Sequence, residues 1–420
     1  MVDKIRIGIF GFSRGAAYAD YFLANNAEIV AICEKDEKRL KRAEEKFGSY
    51  ASYYKDFDSF IEHEGLDAVL LANYFNEHTE YAVRLLEKNI HVLCECISNA
   101  TLAEGVRLVE AAEKSKAFFV LAENYPYMLF NQEMKRVYDG GTLGKCLYAE
   151  GEYNHAGNVY NPLSSDSWES ARLFDSEKHW RLFNPRTYYV THSLAPIMFV
   201  TGAKPIRVTA MPVFAPQPPD CNRASFVGDR AAIITTLNDD DSVFKFTGCA
   251  SFGGSENSYR LCCEKGQIEN VRGSGGKVML RYDPWNIPNG KEEVNYYLPE
   301  WEGKDKELIK KAGHGGGDFC TVREFLKSIR EGYQHPFDVY FSTRMASVAI
   351  LGHRSLLEKG FPYDIPDFKK KEDRDKYRND ELTPFWHSNG TPPSLPCSSV
   401  PDYAPTENQK ENFRKCLAAE

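Results

Sequence analysis

The stretch Lys4-Ile-Arg-Ile-Gly-Ile-Phe-Gly-Phe-Ser-Arg-Gly-Ala16 decides the fold. A β-branched run ends at Gly11 and Ala16–Leu23 then carries a helical pattern, so the segment reads as strand, glycine turn, helix. The alternation continues with strand Glu28–Cys33, helix Glu37–Phe47, strand Ala68–Ala72, helix Glu77–Lys88, strand Ile90–Cys94, helix Leu102–Ser115 and strand Ala117–Ala122. Strands alternating with helices imply right-handed crossovers and a parallel sheet. Residues 1–125 are therefore expected to form a six-stranded, doubly wound α/β Rossmann domain.

Beyond about residue 145 short strand patterns follow one another directly: Leu147–Tyr153, Ile206–Phe214, Ala231–Leu237, Val243–Ser251, Tyr259–Cys263, Gln267–Val271 and Lys277–Tyr282. Turn clusters such as Asn238-Asp-Asp-Asp241 separate them, which predicts a large, mainly antiparallel sheet. With helices at Tyr188–Thr201, Phe319–Glu331 and Phe341–Lys359, residues 126–368 read as an α+β substrate and oligomerisation domain. Residues 369–420 open on a charge run and become Pro- and Ser-rich, the composition of an extended tail over the surface ending in a short helix at Asn408–Leu417.

Composition narrows the function. Lys plus Arg number 52 against 60 Asp plus Glu, a formal charge of −8 that offers no general attraction to nucleic acid or anionic lipid. No run of 18 apolar residues occurs, and Met1–Asp3 leads straight into a strand, so no membrane contact and a cytoplasmic location are expected. The eleven cysteines lack C-x-x-C pairing, and His and carboxylates lack metal-ligand spacing; no disulfide framework and no metal are expected.

The first turn, Gly11-Phe12-Ser13-Arg14-Gly15-Ala16, is a relaxed form of the dinucleotide fingerprint, with Ser13 at the second glycine and Ala16 at the third. Unpaired N–H groups at the following helix would take the pyrophosphate. Glu34, at the end of the second strand, would accept the ribose hydroxyls and repel a 2′-phosphate, which favours NAD over NADP.

With this turn in place, Ile32-Cys-Glu34, Leu66-Asp-Ala-Val-Leu-Leu71, Asn76-Glu-His78 and Lys88-Asn-Ile-His-Val-Leu-Cys-Glu95 together resemble the N-terminal domain of the Gfo/Idh/MocA oxidoreductases. The resemblance implies that Asn73, His78, Glu95 and Asn124 also lie against the cofactor. The family's Glu-Lys-Pro motif reads Glu95-Cys96-Ile97 here. The dehydrogenases of the family use that Lys beside the reacting hydroxyl; Cys96 has no cation to offer and is either a lining residue or a thiol with a catalytic task.

Tyr188-Tyr189-Val-Thr191-His192-Ser-Leu194-Ala-Pro196 is similar to the Tyr-x-Thr-His-x-Leu-x-Pro signature of a glycoside hydrolase branch of that family, the NAD-dependent α-N-acetylgalactosaminidases. Glu123-Asn124-Tyr125 and Glu152-Tyr153-Asn154-His155 echo the same branch. The resemblance implies Tyr189 and His192 at the sugar, with Tyr153 and His155 next and Tyr125 nearby. His179-Trp180-Arg181 suits sugar contact or surface anchoring, and His314-Gly-Gly-Gly-Asp318 a mobile loop or a helix entrance capped by Asp318.

The sequence thus predicts an NAD-dependent enzyme acting on a small-molecule sugar or glycoside. A redox-neutral glycosidase, working by transient C3 oxidation, elimination and hydration, is the leading expectation. A sugar 3-dehydrogenase and a non-catalytic NAD sensor are the alternatives. A homo-oligomer, dimer or tetramer, is expected from the open sheet face.

Overall fold

The computed structural model describes residues 4–156, 176–221 and 224–418; Met1–Asp3 and the side chain of Cys416 lie outside that description. The first sheet contains β1 (Ile5–Phe10), β2 (Ala27–Cys33), β3 (Ser52–Tyr54), β4 (Ala68–Leu71), β5 (His91–Cys94) and β6 (Phe119–Leu121). Their order is β3-β2-β1-β4-β5-β6, and every neighbouring pair is parallel. Central β4 is buried at all four positions because helices cover both faces, which is why its sequence is a continuous apolar run. The strand order reverses between β1 and β4, opening a crevice at the strands' carboxyl ends. β3 has no counterpart among the strands expected from the sequence. It is a three-residue edge strand, Ser-Tyr-Tyr, without a fully buried position, so it has no apolar pattern to read.

The second sheet has nine strands: β7 (Cys146–Asn154), β8 (Pro205–Phe214), β9 (Asp229–Asn238), β10 (Val243–Thr247), β11 (Glu256–Cys263), β12 (Gly266–Asn270), β13 (Val278–Tyr282), β14 (Val294–Tyr297) and β15 (Tyr363–Asp364). Their order is β14-β13-β12-β11-β7-β10-β9-β8-β15, antiparallel except where β10 runs parallel to β7. One continuous apolar core runs from β1 and β4 through the helices into β7, β9 and β11.

One helix expected from the sequence is shorter than predicted. Arg186–Tyr189 is a 3-10 turn and the α-helix begins only at Thr191, running to Thr201. Two backbone contacts set this geometry. A Cβ on Gly248 would lie 1.9 Å from the Arg186 carbonyl oxygen, and one on Gly151 of β7 would lie 2.0 Å from that of Ser193. The chain therefore rests main chain on main chain against the sheet. The Tyr188 hydroxyl then donates to the Ala100 carbonyl at 3.2 Å, tying the turn to the first domain.

The C-terminal charge run also departs from expectation, since Lys371–Tyr377 is helical and not extended. The segment after it is bound into the body: Arg378 pairs with Glu110, Arg354 grips Asp380 with both terminal nitrogens, and Phe385 is 1% exposed. His353 Nε2 donates to the Pro396 carbonyl at 2.7 Å. Burial lowers the His353 imidazole to about 4, so it is neutral when folded. The unfolded chain takes up that proton near pH ~6.5, so the associated stability is intact above that pH and is lost as pH falls toward 4. Urea titrations at pH 7.5 and pH 5 should show that drop, and His353→Gln should reduce the difference between the two.

Candidate active site

The carboxyl ends of β1, β2, β4, β5 and β6 deliver one polar group each to the crevice. Gly11 leaves β1 with φ +91°, and a Cβ there would lie 2.4 Å from the Ala72 carbonyl oxygen. Gly15 has the packing task of the fingerprint's last glycine, since its Cβ would meet Ile9 at 2.5 Å. At the end of β2, Glu34 is buried and accepts from the N–H of Phe12 at 2.8 Å and of Asp36 at 3.0 Å, so it also fastens the glycine turn.

Arg14 does not point into solvent. Its guanidinium pairs with Glu95 at 2.9 Å and with Asp318 at 2.8 Å, and lies over the Tyr18 ring. Asp318 also accepts from Asn124 at 2.7 Å and meets His314 at 2.9 Å. Asp318 lies in the first turn of the helix Gly317–Glu331, and this pairing takes the place of the capping role anticipated for it. Burial pushes the Asp318 carboxyl up, but His314 and Arg14 outweigh it and hold it well below the ordinary range.

Both polar atoms of the Asn73 side chain, Nε2 of His78 and Oδ1 of Asn124 are shielded and lack a hydrogen-bond partner. His78 Nδ1 is engaged by the Ile97 carbonyl at 2.7 Å. Orphaned polar atoms at successive strand ends, beside a glycine turn too tight for a Cβ, fit a long polar ligand with many hydrogen-bonding groups. Gly11, Phe12, Ser13, Arg14, Glu34, Asn73, His78, Glu95 and Asn124 are the residues that could hold a dinucleotide there.

Next to Glu95 the second domain contributes an aromatic and imidazole cluster. His192, one residue into its α-helix, stacks on Tyr125 with ring centroids 4.0 Å apart and meets Tyr153 and Tyr189 edge-on at 4.9 and 5.3 Å. Tyr189 reaches the cluster from the 3-10 turn. Tyr153 stacks on Tyr189 at 6.0 Å and on the more exposed His155 at 5.8 Å. Burial raises the hydroxyl pKa of Tyr125, Tyr153 and Tyr189, so all three remain protonated donors at neutral pH.

Trp180 stacks on Phe75 at 4.8 Å and carries the Arg181 guanidinium 4.4 Å from its ring, so it supports a wall of the site. His179 is buried, and its Nδ1 accepts from the Arg181 N–H at 3.2 Å, capping that short turn. Arg181 itself is solvent-accessible.

Glu123, part of the Glu123-Asn124-Tyr125 motif, has no task that its sequence position reveals. It is 0% exposed; its Oε1 meets His192 Nδ1 at 2.8 Å, and its Oε2 accepts from the Cys96 thiol at 3.3 Å. Burial pushes the Glu123 carboxyl up, but its interaction with His192 outweighs it and keeps it below the usual range. The Cys96 thiol is driven far upward by burial and by Glu123 and Glu95, so it rests as the neutral thiol. Linear spacing gave no reason to expect a metal, yet the donor atoms of Cys96, Glu123 and His192 lie within 4.8 Å of one another. The alternation of small motifs far apart in the chain could not show that convergence.

Residues 5–123 match the model of an oxidoreductase family with an NAD-binding Rossmann fold, Gfo/Idh/MocA, and residues 282–374 match the C-terminal domain of glycosyl hydrolase 109. The chain joins a Gfo/Idh/MocA NAD-binding domain to a glycosyl hydrolase 109 C-terminal domain. Its cofactor is NAD, and it is an enzyme. A glycosyl hydrolase family 109 protein of Porphyromonas gingivalis is 22% identical over 407 residues, covering 88% of this chain and 85% of its own. One from Streptomyces niveus is 24% identical over 409 residues, covering 88% and 78%. Among solved structures, levoglucosan dehydrogenase in complex with NADH and levoglucosan superimposes with a TM-score of 0.72 at 16% identity, covering 87% of this chain and 100% of its own. No helix among the described residues is long and apolar enough to cross a membrane.

Glu34→Gln tests the adenosine end of the cofactor site. Loss of a charge-assisted acceptor is worth about 1.5–3 kcal/mol, so NADH affinity should fall about 10- to 100-fold in a fluorescence titration, with the fold retained by circular dichroism.

Proposed function

We propose that the protein is an NAD-dependent glycosidase that leaves no net change in cofactor redox state. The observation that carries this reading is the His192–Glu123 pair set among protonated tyrosines where a dehydrogenase of this family would have a lysine. NAD, when bound, supplies reversible hydride removal from a sugar carbinol carbon, C3 in this reading, and its return.

The chain's own residues manage protons. A ketone at C3 acidifies the C2 proton, and a base must remove it. With Nδ1 donating to Glu123, His192 presents its Nε2 lone pair for that step, and Glu123 fixes the tautomer. Tyr189, kept protonated by burial, serves as the acid that donates to the departing C1 oxygen, with Tyr153 and Tyr125 as hydroxyl donors to the ring substituents. Arg181 offers up to five N–H donors to sugar hydroxyls, and His155 closes the outer side of the ring cluster. Cys96 lines the site without taking part in the proton transfers. Water then adds to the unsaturated sugar at C1, with the same groups acting in the opposite sense.

A panel of aryl glycosides incubated with the protein in D₂O checks this reading. Aglycone release with deuterium at C2 and no net NADH is expected; stoichiometric NADH without cleavage would assign a dehydrogenase instead. His192→Ala should lower kcat by about 10²- to 10⁴-fold, the range for loss of a positioned base, with NADH affinity unchanged. Tyr189→Phe should spare substrates with a good phenolate leaving group and impair those with an alkyl aglycone. Equal loss on both substrate types would remove Tyr189 as the acid.

A further inference from the structure

The cluster beneath the ring pocket has a chemistry that proton transfer alone does not use. Cys96 follows β5, Glu123 follows β6 and His192 opens a helix of the second domain, so three segments deliver a sulfur, an oxygen and a nitrogen donor to one buried point. The Glu123 carboxylate is fully enclosed, and its one ion-pair partner among the described residues is His192. The Arg14 guanidinium is committed to Glu95 and Asp318. A second oxygen points at the same spot: the Thr191 hydroxyl is 0% exposed, has no hydrogen-bond partner meeting normal geometry, and lies against the Cys96 thiol.

We propose that Cys96 Sγ, Glu123 and His192 Nδ1 form a site for one soft divalent cation of the zinc class, with the Thr191 hydroxyl or a water beside it. Three mixed S, N and O ligands with an open position are a zinc-type donor set, and the thiolate discriminates against magnesium and calcium. The spacing is compatible. Tetrahedral bonds of ~2.0–2.3 Å separate donors by about 3.3–3.5 Å. The present separations are 3.3 Å from sulfur to Oε2 and 2.8 Å from Oε1 to the imidazole nitrogen, with the three donor atoms all within 4.8 Å of one another, so the side chains readjust around the carboxylate to admit the ion. Cys96 binds as the thiolate and its proton passes to solvent. Coordination takes Nδ1 of His192 and leaves its proton on Nε2, so the loaded site holds His192 as a donor and removes it as a base. This last consequence rests on the proposed function, whereas binding does not.

Cobalt(II) is the probe, titrated into the full-length, NAD-loaded protein after chelator treatment. One equivalent should bind with a thiolate-to-cobalt charge-transfer band, and zinc should displace it. Cys96→Val should abolish the band while retaining NADH binding, and His192→Ala should weaken cobalt binding at least tenfold. Absence of a one-equivalent thiolate band in the wild type, or its persistence in Cys96→Val, overturns the site. Zinc binding should also suppress glycoside turnover. Cobalt binding with turnover unchanged would leave the site standing and remove His192 as the base.

Discussion

The buried contact between Glu123 and His192 is the constraint on which the rest of this molecule turns. An ionised carboxylate without solvent costs several kcal/mol unless it is paired, and leaving such a charge uncompensated costs about 3–5 kcal/mol. Glu123 follows the last strand of the parallel sheet, and His192 opens a helix seated on the antiparallel one. Satisfying one charge therefore fixes the distance between two sheets to within a hydrogen bond. The Arg14 pairs to Glu95 and Asp318 repeat the arrangement a few residues away and join the glycine turn to the second domain. Cofactor crevice and ring cluster are thus positioned against each other by buried electrostatics as well as by apolar packing.

Much of the fold was legible because its periodicities are strong. The strand, glycine turn and helix at residues 4–24, the acid at Glu34, and the helix Glu37–Phe47 with its Asp36 cap all stand in the chain as local signals. What escaped was non-local. β3 and β15 are short edge strands that borrow their conformation from a neighbour, and the helix containing His192 starts late because Gly248 and Gly151 seat the preceding turn directly on the sheet. The charge run at Lys369–Lys376 has a disordered composition, but Glu110 and Glu113 on a neighbouring helix receive Arg378 and Arg374 and hold it in place. No single-sequence pattern announces a partner over 260 residues away.

The site was legible in its residue types and not in their tasks. Tyr153, Tyr189 and His192 converge from two short motifs, and burial then divides their roles by keeping the tyrosines protonated as donors. Trp180 and His179, readable as sugar contacts, have their polar or flat faces engaged by Phe75 and by the turn they belong to. Cys96 invited a question about reactivity, and its surroundings answer it: it is buried, and two carboxylates face the thiol.

The two glycines beneath the 186–193 segment have a consequence for how this scaffold diversifies. Because Gly151 and Gly248 bring carbonyl oxygens to within about two ångströms of where a side chain would begin, the height of the imidazole above the sheet is a main-chain dimension. It admits no intermediate values. Mutational drift can redecorate the rim, through Arg181, His155 and the loops around them, and so change which sugar enters. The reacting groups beneath stay at one elevation, and new specificities arise around an unmoved floor.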